Sequence, residues 1–305
     1  MYDVIIIGAG CTGFAAAMYS GRFNLKTLVI GDLMGGLITW TDIVENYPGF
    51  KKLTGQELVD RIREHALEYN IEVIEAKVDK VEKTKNGFKI YSGSSQFETK
   101  TVIFATGTEV RKLNVKGEAE FSSKGVHYCA LCDGYAYQDK IIAVVGGSDS
   151  AAKDALVLTN YGKKVYIIYR GEKIKPEPVN YQRILKNKKI EIINNTNVLE
   201  IKGKNKVESA ILDASYKNSK ELKLDAVFVA IGHLPISNLA KSLGVKLNKD
   251  GEIIINRESK TNVPGVYAAG DVVDTKFKQA ITGVAEGVSA VYSAYQFINN
   301  QEIIS

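Results

Sequence analysis

The sequence predicts an α/β protein with two nucleotide-binding units, and three observations carry that prediction. A β-branched run from Tyr2 to Ile7 meets the turn Gly8-Ala9-Gly10-Cys11-Thr12-Gly13 and then a helix-forming run from Phe14 to Tyr19. The same grammar returns with Lys140 to Val145, the turn Gly146-Gly147-Ser148-Asp149-Ser150-Ala151 and a helical run from Ala152 to Asn160. Two more strands end in glycine turns, Val102 to Gly107 and Ala226 to Gly232. A chain of 305 residues, 45% hydrophobic and 25% charged, has the length for about two domains and the apolar content for a core. Its net charge of +5 lies in no like-charge run, which argues against a nucleic-acid partner. No stretch of ~20 apolar residues predicts a membrane span. Met1-Tyr2-Asp3 lacks the basic region of a secretory leader, and three cysteines cannot staple so long a chain. A reducing, cytoplasmic compartment is therefore expected.

The first element reads as a strand buried on both faces, because its apolar run is continuous rather than alternating. Thr27 to Ile30 supplies the next strand and completes a βαβ unit, the context in which GxGxxG carries meaning. Gly8 makes the tight turn, Gly10 lets backbone approach a pyrophosphate, and Gly13 lets the helix pack close to the strand. The phosphates then rest on the positive helix N-terminus. A glycine turn by itself also serves purely structural ends; its recurrence favours a nucleotide cofactor. Asp32 is a candidate ribose contact or a simple turn aspartate. In the second unit Lys164 to Tyr169 is the following strand. Gly265 to Asp271 reads as a strand tipped by an acid, and a closing helix is expected from Val288 onward.

Chemistry centres on Cys129-Ala130-Leu131-Cys132. CxxC holds two sulfurs within disulfide reach, and the first thiol of such pairs commonly ionises near neutrality. Zinc sites also use CxxC, but zinc wants four ligands, and Cys11, His65, His127 and His233 form no second pair. An inert buried pair is the third reading. Asp133 follows Cys132 directly and reads either as a turn aspartate or as a proton relay for thiol–disulfide exchange. His127 reads as a stabiliser of a Cys129 thiolate or as an ordinary half-exposed histidine. A redox dithiol needs an electron source, and flavin beside nicotinamide is the common pairing.

The motifs taken together resemble the low-molecular-weight thioredoxin reductases over essentially the whole chain. The carrying residues are Gly8-x-Gly10-x-x-Gly13, Gly35-Gly36 leading to Val44-Glu45-Asn46-Tyr47-Pro48-Gly49, and Ala105-Thr106-Gly107. They continue with Cys129-x-x-Cys132-Asp133-Gly134, the second glycine turn, Ala230-Ile231-Gly232-His233, and Ala269-Gly270-Asp271 with Lys278-Gln279-Ala280. The resemblance implies two Rossmann-like domains, a nicotinamide-type domain over 113–241 inserted into an FAD domain formed by 1–112 and 242–305. It implies that Cys132 is the thiol nearest the flavin, that Cys129 attacks the partner disulfide, and that Asp133 is the acid–base residue. Asp271 would meet the ribityl or phosphate region of FAD, with Gln279 and Ala280 near the ring and Asn46 lining the site. Partners implied are thioredoxin or a glutaredoxin-like protein, and the assembly implied is a homodimer.

Departures from the family pattern fall mostly in the second turn. The family has G-G-G-N-T-A where this chain has Gly146, Gly147, Ser148, Asp149, Ser150 and Ala151. Ser148 sets a side chain where backbone should approach the pyrophosphate, and Asp149 sets a negative charge near phosphates. The family's two arginines for the 2′-phosphate of NADPH reduce to Arg170 in Tyr169-Arg170-Gly171, with Lys173 and Lys175 nearby as point charges. NADPH is the expected donor, with NADH, ferredoxin or a deazaflavin as alternatives. A flavin–dithiol sensor without turnover is the reading from another functional class. In the first unit Cys11 stands where the family often has proline, and Leu37 replaces the usual glutamine.

Overall fold

The opening strand β1 spans Tyr2–Ile7, with Val4, Ile5 and Ile6 fully buried. The computed structural model describes residues 1–304 and the side chains of residues 1–300. The chain continues through α1 (Cys11–Arg22), β2 (Thr27–Gly31), α2 (Gly55–Leu67), β3 (Ile71–Glu75), β4 (Lys80–Thr84), β5 (Gly87–Ser92) and β6 (Ser95–Phe104). β7 (Thr108–Val110) leads into β8 (Val126–His127), α3 (Ala130–Asp133), β9 (Ile141–Val145), α4 (Asp149–Leu158), β10 (Lys164–Ile168) and α5 (Pro178–Lys186). Then come β11 (Ile190–Ile193), β12 (Val198–Gly203), β13 (Val207–Tyr216), β14 (Ser219–Lys223) and β15 (Ala226–Val229). β16 (His233–Pro235) precedes α6 (Asn238–Ser242), β17 (Val266–Ala268) and α7 (Ala280–Ile304).

Two units result, one of Met1–Glu109 with the chain from Leu234 onward, the other of Val110–His233. The sequence expects the boundaries at 112/113 and 241/242, and this division has them at 109/110 and 233/234. The reason for the second is α6: Ala240 is fully buried in the core of the first unit, and Leu239 and Leu243 pack on the same cluster. Ser305, the last residue of the expected range 242–305, lies outside the described residues.

The first unit carries a seven-stranded sheet in the order β3-β2-β1-β6-β5-β4, with β17 also paired to β6. Its two faces follow the period-2 alternation of strand side chains. Val4 and Ile6 enter one core with α1 and α7, while Ile5 and Ile7 enter the other. Register fixes the site. Ile7 lies opposite Ile30 and Phe104, and Phe104 lies opposite Ala268, all in parallel pairs. The loops that follow these strands therefore emerge along one carboxyl edge, where open α/β sheets bind ligands.

The second unit has a parallel five-stranded sheet, β11-β10-β9-β15-β8, and a separate antiparallel sheet, β12-β13-β14. Val145 lies opposite Ile168 and Val229, and Phe228 opposite His127. The second glycine turn and the CxxC segment thus leave the same carboxyl edge.

Three helices begin earlier than their sequence suggests. α1 starts at Cys11 and α4 at Asp149, each inside its glycine turn, and α7 starts at Ala280 rather than Val288. Gly283 and Gly287 weaken the helical signal there. They are small because a Cβ at either would stand 2.6 Å or 2.7 Å from Thr12 of α1.

Candidate active site

The first glycine turn separates what the chain needs for itself from what it leaves open. Gly8 has φ +120°, and a Cβ there would lie 2.0 Å from the Ala105 carbonyl oxygen; at Gly13 it would lie 1.9 Å from that of Gly8. At Gly10 the nearest atom, the Gly35 carbonyl oxygen, would be 3.6 Å away, an ordinary contact. Packing does not demand glycine at position 10, so the bare backbone there leaves room for a ligand. α1 begins beside it with no side-chain cap and no acid in its first turn, leaving its N–H groups and positive end for an anion. Gly10 bridges to Gly35, whose N–H donates to the Ala9 carbonyl at 2.8 Å, and Leu37 opens a half-buried 3₁₀ turn after Gly36. Asp32 is exposed just past β2. A dinucleotide pyrophosphate fits this cradle, and FAD is the dinucleotide the motifs imply.

Residues far apart in sequence meet at the same edge. Asn46 Nδ2 donates to Gln279 Oε1 at 2.8 Å, joining two of the predicted cofactor contacts. The Gly270 N–H donates to the Glu286 carboxylate at 2.8 Å, and the Thr275 hydroxyl donates to the same group. Neither Glu286 nor Thr275 was marked by any local sequence signal. Lys278 turns onto the chain: its ammonium donates to the Asp271 carbonyl at 2.8 Å and to that of Val273, and pairs with Glu252 at 2.9 Å. Ala105, Thr106 and Gly107 follow β6, and the Thr106 hydroxyl donates to the Ile236 carbonyl at 2.7 Å. Ala280 is the first residue of α7. Cys11 is buried, and that burial, helped by the charge of Asp271, pushes its thiol up to about 12. It is a neutral packing residue at ordinary pH.

In the second turn Gly146 repeats Gly8, with φ +149° and a would-be Cβ 2.1 Å from the Ala230 carbonyl oxygen. Gly147 lies under the Tyr169 ring, 2.4 Å from a would-be Cβ. Ser148 and Ser150 are exposed, and Gly232 is open on its Cβ side. Asp149, expected to set a negative charge near phosphates, has partners for that charge within the protein. Its carboxylate accepts from the Glu177 N–H at 2.9 Å and Asn180 Nδ2 at 2.8 Å, and pairs with Lys153 at 2.9 Å. Burial works to raise its pKa, but those partners outweigh burial and hold the carboxyl below its usual range. Arg170 is exposed, with no ion pair among the described residues. The Lys173 ammonium lies 5.1 Å from the Tyr181 ring centroid, and the Lys175 N–H donates to the Gly147 carbonyl at 2.6 Å.

Cys129 and Cys132 form a disulfide across the first turn of α3. The Cys132 N–H donates to Cys129 Sγ at 3.0 Å, a bond that favours negative charge on that sulfur after reduction. Cys129 is buried and Cys132 exposed. His127 differs from both of its expected readings: it is buried, and its Nδ1 lies 3.2 Å from an oxygen of Asp133 rather than against sulfur. Its Nε2 lies 2.7 Å from the Tyr137 hydroxyl. Tyr128, between His127 and Cys129, donates to Glu118 at 2.9 Å. The same buried carboxylate accepts the Leu113 and Asn114 N–H groups at 2.8 Å and 2.5 Å. Burial, with Glu118 beside it, pushes the Tyr128 hydroxyl up to about 12.

Comparison with known proteins agrees with these features. A family profile described as pyridine nucleotide-disulphide oxidoreductase matches residues 2–287. A curated thioredoxin reductase of Bacillus subtilis (strain 168) is 38% identical over 301 residues, covering 98% of this chain and 95% of its own. The crystal structure of Lactococcus lactis thioredoxin reductase superposes with a TM-score of 0.94 at 36% identity, covering 98% of this chain and all of its own. That of T. acidophilum thioredoxin reductase gives 0.92 at 36% identity, covering 100% of this chain and 99% of its own. No helix among the described residues is long and apolar enough to cross a membrane. A nucleotide cradle, a redox dithiol and relatives of matching length lead to one assignment: the chain belongs to the pyridine nucleotide-disulphide oxidoreductases, among the low-molecular-weight thioredoxin reductases.

Proposed function

We propose that the protein reduces the disulfide of a thioredoxin or glutaredoxin-like protein, using FAD and the Cys129–Cys132 pair. The observation that carries this reading is the CxxC disulfide closed on a short helix that ends in Asp133. FAD is assigned to Gly8, Gly10, Gly13, Asp32, Gly35, Gly36, Leu37, Asn46, Ala105 to Gly107, Gly270, Asp271, Gln279 and Ala280. Bound there, it supplies the two-electron relay between a reductant and a disulfide. The reduced dithiol then works by exchange. The Cys129 thiolate attacks one sulfur of the partner disulfide, whose S–S bond breaks as a mixed disulfide forms. The departing partner thiolate takes a proton from Asp133. Cys132 next attacks Cys129 Sγ, releases the second partner thiolate and restores the Cys129–Cys132 bond.

NADPH is assigned as the donor, with Arg170, Lys173 and Lys175 around the 2′-phosphate and Gly146, Gly147 and Gly232 around the rest. The exposed Ser148 and the single arginine favour one alternative: NADH, ferredoxin or a deazaflavin as the reductant. An anaerobic titration followed by flavin absorbance separates these. Bleaching at near-stoichiometric NADPH supports the first assignment. Bleaching by dithionite alone would move the search to ferredoxin or a deazaflavin.

The attack order has its own test. Cys132→Ser should trap an oxidised thioredoxin as a mixed disulfide through Cys129, and Cys129→Ser should trap none. The reverse pattern would exchange the two roles, and steady partner reduction by either variant would end this mechanism. Turnover of the parent enzyme excludes the sensor reading. A homodimer in a reducing cytoplasm is the assembly and setting proposed for it.

A further inference from the structure

The sequence offers His127 as a thiolate stabiliser or an ordinary half-exposed histidine, whereas the structure gives it two hydrogen bonds and a buried seat beside the dithiol helix. Its ring stacks on Phe228 with centroids 5.2 Å apart and meets Tyr137 edge-on at 5.4 Å. The placement follows from register. His127 is the last residue of β8, opposite Phe228 of β15, and the CxxC helix starts three residues later. Asp133 closes that helix, and the 3₁₀ turn Gly134–Tyr137 brings Tyr137 back to the imidazole. His127 is 8% exposed at its side chain and Asp133 39% exposed, so the chain of bonds runs from a wet carboxylate into a dry ring.

We propose that His127, its tautomer fixed by Tyr137, is a positioning residue for Asp133 and holds the carboxyl group for proton transfer in disulfide exchange. This rests on the reading of Asp133 as the acid–base group. A carboxylate can only accept, so Nδ1 carries the ring hydrogen and donates to Asp133, leaving Nε2 to accept from the Tyr137 hydroxyl. Burial holds the imidazole below its usual range although the charge of Asp133 pulls the other way, so the ring is neutral at pH 7. Burial also raises the Tyr137 hydroxyl, with Asp133 and then Asp225 adding to it, which keeps that hydroxyl a donor. These are the charged groups that act on the chain of bonds; no lysine or arginine acts on His127 or Tyr137 among the described residues.

His127 engages Oδ2, and no other protein hydrogen bond holds the Asp133 carboxylate among the described residues, which leaves Oδ1 for the reacting sulfur.

The test uses the FAD-loaded enzyme, reduced at its dithiol and mixed in single turnover with two oxidants between about pH 5.5 and 9. One is an oxidised thioredoxin, whose departing alkyl thiolate needs a proton. The other is an aromatic nitrobenzoate disulfide, whose departing thiolate needs none. His127→Phe keeps the ring packing but deletes both bonds. It should slow thioredoxin reduction about tenfold. The aromatic disulfide should react within about twofold of the parent enzyme. His127→Asn restores a donor near the Nδ1 position, so it should regain most of the parent rate.

Equal slowing toward both disulfides would make His127 merely structural and overturn the proposal. So would a parent-like rate toward thioredoxin in His127→Phe or, should that variant fail to fold, in His127→Ala. Asp133→Asn separates the two layers. Parent-like thioredoxin reduction in that variant removes Asp133 from the chemistry. A slow Asp133→Asn beside an unaffected His127→Phe removes only the positioning role of His127.

Discussion

β1 ends at Ile7 and β9 at Val145, each in register with its neighbours, and the turns that follow share a backbone but not a filling. Gly8 and Gly146 both lie against a carbonyl of the next strand's loop and tolerate no Cβ. One residue on, the pairing reverses. In the first turn Ala9 faces Gly31, where a Cβ would come within 2.8 Å of the Ala9 nitrogen; in the second, Gly147 faces the ring of Tyr169. Gly10 corresponds to Ser148, Cys11 to Asp149, and Gly13 to Ala151. The comparison sorts glycines by cause. Gly8 and Gly146 are imposed by backbone in both turns, Gly13 is imposed by backbone in the first turn alone, and Gly10 answers to a ligand rather than to packing.

The sharpest way to break that division is to substitute the imposed pair. Gly8→Ala and Gly146→Ala should each cost about 3 kcal/mol or more, since backbone must shift and φ is positive. Thermal unfolding should show both losses at similar size. If Gly146→Ala melted like the parent, the two turns would not share one constraint.

The ligand-facing pair should respond in opposite directions. Gly10→Ser should fold with a melting temperature within about 2 °C of parent, measured on the flavin-free protein, because nothing occupies the Cβ position. Its flavin affinity should fall at least about tenfold, read by fluorescence titration. Ser148→Gly should tighten pyridine nucleotide binding roughly fivefold, the worth of one backbone hydrogen bond. Unchanged flavin binding by Gly10→Ser would show that the cradle is not used.

The exchanged small and large residues form a cycle. Gly147→Ala should cost about 2 kcal/mol by pressing on Tyr169. Combined with Tyr169→Gly, it should show a favourable coupling of about 1 kcal/mol, because that pair reproduces Ala9 and Gly31. Additive losses in chemical denaturation would mean the two positions do not touch energetically.

The smallest difference lies in charge. Asp149 has a folded-state pKa below its unfolded value, so its contribution is present above about pH 4 and is lost as pH falls through the folded value. The melting-temperature gap between parent and Asp149→Asn should therefore close below that pH. Cys11, raised by burial, should resist alkylation at pH 8 in the folded, reduced protein while Cys129 and Cys132 react.

Much of this molecule is legible in its sequence because the relevant chemistry is local. Both βαβ units and the CxxC declare themselves within a few residues. What stays hidden depends on distant pairing. Asn46 with Gln279 and Gly270 with Glu286 are brought together only by strand register. α7 was read eight residues short because Gly283 and Gly287 answer to Thr12 rather than to helix propensity. His127 lies only six residues from Asp133, yet its partner is set by the fold of the intervening turn. Neighbours in sequence predict a residue's element better than its task.

The close seat of Thr12 against Gly283 and Gly287 has a consequence for biosynthesis. The helix that opens the cofactor cradle, α1, precedes α7, the helix that packs on it, and the whole dithiol unit lies between them. As the polypeptide emerges, α1 must wait for that packing until α7 has been made, whereas the dithiol unit is complete in sequence at His233. The nascent protein is thus expected to hold a folded redox module while its flavin half is still open. Chaperone demand and cofactor loading then follow the synthesis of α7.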